Sequence, residues 1–101
     1  MKKTTTNRKE RDEIRYNISL ALSKFTAIMI GEPDKYKTTT GNINYYPSDC
    51  LSDWSWSMID KEGQKAKDTT NHPEEVSGII CKGKRHWNDE TQEITVMFKD
   101  L

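Results

Sequence analysis

Along the first third of the chain, Ile14, Ile18, Ala21, Leu22, Phe25 and Met29 recur at intervals of three and four. That spacing lays them along one stripe of a helix. The charges at Arg8, Lys9, Arg11, Asp12 and Arg15 fall mostly off the stripe. Asn7 supplies an N-cap side chain, and Glu10, three residues on, can reach back to the cap amide. Gly31 suits a left-handed C-terminal cap and Pro33 cannot continue the backbone ladder, so the helix stops there. The pattern predicts helix over Lys9 to Lys24. The run Phe25 to Ile30 fits helix or strand, because periodicity does not separate the two in so short an apolar stretch.

The remainder predicts strands and turns. Lys35 to Thr39 and Ile43 to Tyr46 flank Thr40-Gly41-Asn42, a hairpin in which Gly41 takes the positive φ. Pro47-Ser48-Asp49 breaks that run. Trp54, Trp56 and Met58 alternate with Ser55, Ser57 and Ile59, the period of a strand with one aromatic face, and Glu62-Gly63 ends it. Residues 64 to 75 are polar without periodicity and predict a solvated loop. Val76 to Cys81 predicts a short strand, followed by the polar segment KGKRHWNDE and an alternating strand through Ile94, Val96 and Phe98. No helical stretch separates the later strands. The expected fold is therefore α+β: an N-terminal amphipathic helix packed on a mostly antiparallel sheet of four to five strands. Residues 1–6 are expected to be a flexible terminus and 7–101 a single compact domain.

Composition narrows the function classes. The chain has 101 residues, 33% hydrophobic and 32% charged, with a mean hydropathy of −0.95. Three Trp, four Tyr and two Phe supply large burial areas and argue against a disordered chain. Lys+Arg and Asp+Glu are both 16, so the basic excess usual in nucleic-acid binders is missing. The longest mainly apolar run, Ala27 to Ile30, falls far short of the roughly 20 residues that cross a bilayer. The N-terminal MKKTTTN lacks the apolar stretch of a secretory signal, which points to the cytoplasm and to reduced thiols at Cys50 and Cys81.

Candidate chemistry is sparse. Cys50, Cys81, His72 and His86 include no close ligand pair of the kind structural zinc sites present. Asp49 and Asp53 are four apart and would share a face of a short helix after Pro47, where they could bind magnesium or divide acid and base roles; helix capping explains the same residues. Ser48, His86 and Asp89 can be drawn as a triad, but triads are defined by geometry. The motifs GxSxG and GxxxxGK[ST] are absent. No catalytic residue, metal or cofactor is expected, and the chain is read as no enzyme.

The sharpest local feature is Lys82-Gly83-Lys84-Arg85-His86-Trp87. It places three permanent cations, an imidazole and an indole within six residues, so Lys82, Lys84, Arg85, His86 and Trp87 form the primary candidate interaction site. Tyr45, Tyr46, Trp54 and Trp56 are secondary candidates. Trp54 and Trp56 lie on a face that a sheet would bury, and Tyr45 and Tyr46, as strand neighbours, point to opposite faces. These residues suggest a non-enzymatic interaction protein acting on another protein. Small Lys/Asn/Thr-rich chains of this kind suggest a phage or mobile-element accessory protein that inhibits a host macromolecule. The alternative is a nucleic-acid-binding module in which cations neutralise phosphates and Trp87 stacks on a base. A small hydrolase is the third reading. So polar a chain leaves a thin core, which a homodimer would supplement.

Overall fold

The computed structural model describes residues 8–66 and 75–101. The expected cap at Asn7, the terminus 1–6, His72 and most of the 64–75 loop lie outside the described residues. A long helix, α1 (Arg8–Ile30), is followed by one helical turn, α2 (Pro47–Cys50), and three strands: β1 (Leu51–Ile59), β2 (Gly78–Arg85) and β3 (Gln92–Met97). A 3-10 turn, Phe98–Asp100, follows β3. The strands form one antiparallel sheet in the order β1-β2-β3. No helix among the described residues is long and apolar enough to cross a membrane.

The ambiguous run Phe25 to Ile30 is helical, and its end is chemically defined. Gly31 adopts φ 90°, and the Glu32 amide donates to the Ala27 carbonyl at 2.8 Å, closing the helix with the wide loop of a Schellman-type cap. Within α1 the predicted stripe meets the sheet: Ile18, Ala21, Phe25 and Met29 form one core cluster with Leu51, Ile79, Cys81 and Val96. A second stripe, Tyr16, Leu20, Ser23 and Ala27, holds the segment between α1 and α2 against the helix. The Tyr16 hydroxyl donates to Gly41 O at 2.8 Å. The buried Ser23 hydroxyl donates to Tyr36 O at 2.6 Å and accepts from the Tyr45 amide at 3.1 Å. α1 is thus buried on two sides, which is why it carries buried polar residues on an otherwise amphipathic pattern.

Among the described residues the sheet has three strands, not four to five. The predicted hairpin of 35–39 and 43–46 forms with Gly41 at φ 90°, but it is reduced to a single antiparallel bridge, Lys37↔Ile43. The Lys35–Thr39 leg offers little apolar surface beyond Tyr36, and Pro47 closes the other leg without an N–H for a ladder. The legs bond each other through the Asn44 amide to Tyr36 O at 3.1 Å and the Thr38 amide to Asn42 O at 2.8 Å, and Ser23 takes Tyr36 O and the Tyr45 amide. The strand predicted at Val76 to Cys81 instead runs from Gly78 to Arg85, taking in half of the polar segment, and Phe98 lies beyond the end of β3.

The β1–β2 register carries an irregularity that orients the aromatic strand. Ser52 pairs with Lys84 and Ser55 with Lys82, so Asp53 and Trp54 together oppose Gly83. This is a bulge of one extra residue, with Asp53 in the left-handed region at φ 50°. Without the extra residue, Leu51 and Trp54 would point to opposite faces. With it, Leu51, Trp54, Trp56 and Met58 share the face of Ile79 and Cys81 that packs on α1. The opposite face carries Ser55, Ser57, Lys82, Glu93 and Thr95, all exposed.

Candidate functional site

The segment 82–87 does not form one patch. Strand alternation along β2 places Lys82 and Lys84 on the face away from α1 and Arg85 on the face toward it. Lys82 stands directly across from Glu93 on β3. The Lys84 ammonium lies 3.4 Å from the Asp53 carboxylate, reaching across the bulge; its side chain is 28% exposed and that of Asp53 78%. The Arg85 guanidinium donates from Nη1 to the Met29 carbonyl at 3.0 Å, at the C-terminal, electronegative end of α1. Lys84 is therefore paired with a carboxylate and Arg85 with a helix-end carbonyl, whereas Lys82 is exposed with Glu93 as its cross-strand neighbour. The cations Lys9 and Arg11 lie at the far end of α1 from this segment: about 18 residues of helix at 1.5 Å each separate Arg11 from Met29 by about 27 Å.

The two remaining members lie on the turn that follows β2. Its geometry is fixed by two backbone bonds: the His86 amide donates to Cys50 O at 3.1 Å, and the Asn88 amide to Arg85 O at 3.1 Å. The Asn88 side chain then accepts from the Glu90 amide at 2.7 Å. His86 is exposed, and Trp87 is 65% exposed. The Cys50 bond ties this turn to α2, and the residue preceding α2 is Tyr46, 55% exposed. One end of the sheet thus presents an indole and a phenol from segments about forty positions apart.

The other secondary candidates divide as strand geometry requires. Tyr45 is half-buried, and its hydroxyl donates to the Glu32 carboxylate, a bond that raises the phenol above its ordinary range. Trp54 is half-buried against the core, whereas Trp56, opposite Cys81 in the register, is 37% exposed.

The acid pair and the triple do not assemble. α2 ends at Cys50 and the chain is extended from Leu51 (φ −123°, ψ 152°), so Asp49 and Asp53 share no helical face. No hydrogen bond joins the side chains of Ser48, His86 and Asp89. Among the described residues no three of His, Cys, Asp and Glu cluster as metal ligands would. Cys81 is fully buried, and burial alone pushes its thiol up to about 12. Cys50 is raised by burial and then by the neighbouring Asp49.

Residue spacing gave no sign of the contact between Cys50 and His86, 36 positions apart. The acids at Asp89 and Glu90 were visible beside Trp87, and they belong to the same exposed turn. No family model, curated protein sequence or solved structure matches this chain.

Proposed function

We propose that the chain is a non-enzymatic interaction protein that docks on another protein through the end of the sheet carrying Trp87 and Tyr46. The observation that carries this reading is a tryptophan 65% exposed on a turn held in place by the Cys50–His86 bond. Tryptophan and tyrosine dominate binding hot spots, and a pre-ordered turn loses little entropy when a partner covers it. Lys84 pairs with Asp53 and Arg85 is turned onto the Met29 carbonyl, so the segment offers a polyphosphate less free positive charge than its sequence suggests, which favours a protein partner.

The test compares the chain with Trp87→Ala as immobilised bait in a lysate of its native host. A stoichiometric partner retained by the wild type and lost at least tenfold from a folded Trp87→Ala variant is expected, since a central tryptophan contributes about 2 kcal/mol or more. A partner held equally by both, or no stoichiometric partner, refutes the reading.

A further inference from the structure

We infer that the Trp87/Tyr46 end recognises a basic protein segment, with its aromatic rings receiving Lys or Arg side chains and its free carboxylates supplying the counter-charge. This rests on the docking reading above and adds the chemistry of the partner. The starting point is the charge left over once internal pairs are removed. Residues 46–53 and 84–90 hold two cations, Lys84 and Arg85, and four carboxylates, Asp49, Asp53, Asp89 and Glu90. Lys84 and Asp53 pair with each other, and Arg85 is turned onto the carboxyl end of α1. Asp49, Asp89 and Glu90 remain, all exposed and without an ion pair among the described residues. A chain that is neutral overall is therefore acidic at this end, although the sequence around Trp87 reads as basic.

The aromatic groups fit the same partner. Trp87 and Tyr46 are the two most exposed large apolar side chains among the described residues. An indole or phenol face attracts a cation within about 6 Å of its centroid, and tryptophan does so most strongly. Neighbouring carboxylates raise the local concentration of a cationic partner and repel phosphate. An acidic peptide or a nucleic acid would meet three carboxylates without an ion pair and a net charge of minus two over these segments, whereas a Lys/Arg-bearing segment meets complementary charge and two ring faces.

The experiment measures fluorescence anisotropy of three labelled probes with the full chain at about 50 mM and about 300 mM salt. The probes are a Lys/Ser dodecapeptide, its Glu/Ser counterpart and a deoxythymidine oligonucleotide. The basic peptide is expected to bind at least about tenfold more tightly than either other probe. Trp87→Ala and the double variant Asp89→Asn/Glu90→Gln should each weaken it about tenfold, whereas Lys82→Glu should not weaken it. Both altered sites are exposed turn positions, and circular dichroism verifies that the variants fold. No binding of the basic peptide, no preference over the Glu peptide, preference for the oligonucleotide, or insensitivity to Trp87→Ala overturns the inference. The lysate comparison keeps the two claims separable: a partner lost from Trp87→Ala but kept by Asp89→Asn/Glu90→Gln sustains docking and refutes the basic partner.

Discussion

Trp54 packs directly over the backbone of Gly83. A Cβ on residue 83 would stand 2.8 Å from the Trp54 Cβ and 3.1 Å from its Cα. Both neighbours are at or next to main chain, so neither can rotate away. The glycine inside this polar segment is thus a packing requirement of the sheet. Gly83→Ala is expected to destabilise by about 1–3 kcal/mol through overpacking. Urea unfolding should show a lower midpoint with an unchanged slope; an unchanged midpoint would mean that Trp54 does not sit as described.

Asp53 holds the bulge that turns Trp54 inward, at a φ of 50° that costs a non-glycine residue about 1 kcal/mol or more. Asp53→Gly removes that cost and the Lys84 contact, an exposed pair of at most about 1 kcal/mol, so its net effect should lie within about 1 kcal/mol of zero. Asp53→Val should lose about 2 kcal/mol, because a β-branched side chain resists the left-handed region. The ranking of the two variants by thermal melting checks the backbone assignment, and Val matching Gly would refute it.

Arg85 joins the end of β2 to the end of α1 through Met29 O, and its Nε is buried without a partner. Arg85→Ala should cost about 1–2 kcal/mol in lost hydrogen bond, helix-end charge and stem packing. Arg85→Met keeps the stem and removes the unpaired donor, so it should cost less than alanine. Stability no higher for Met than for Ala in chemical denaturation would contradict this division.

Cys81 links stability to alkaline pH. Its thiol ordinarily ionises near 9.0 and is pushed up to about 12 by burial, so between those values the unfolded chain has released a proton that the folded chain keeps. The contribution is complete below pH 9 and is lost as pH rises toward 12, at about 1.4 kcal/mol per pH unit. Cys81→Ala has no such proton. The stability gap between wild type and Cys81→Ala should therefore narrow by that slope above pH 9, measured by urea unfolding at successive pH values; a constant gap refutes it. In native protein a thiol reagent should modify the half-buried Cys50 first, with Cys81 reacting only on unfolding.

The core stripe of α1 and its stop at Gly31 were legible because helix periodicity and capping are local. The α+β class followed from the same reasoning, as did the positive φ of Gly41. The second stripe through Tyr16, Leu20, Ser23 and Ala27 was not legible, since two of its members are polar or nearly so and its cover comes from residues 36–45. The missing outer strands have a related cause. Alternation shows that a segment can be a strand, but only a partner with open N–H and C=O groups makes it one.

At the candidate site, the sequence by itself determined that cations and a tryptophan lie within six residues and that acids follow them. Tertiary structure alone decided what those charges face. Pairing with β1 extended β2 to Arg85 and separated Lys82 and Lys84 from it by face, the bulge at Asp53 brought a carboxylate to Lys84, and the end of α1 took the guanidinium. A charge count along the chain cannot include partners that are 31 and 56 positions away, because electrostatic compensation depends on distance in space.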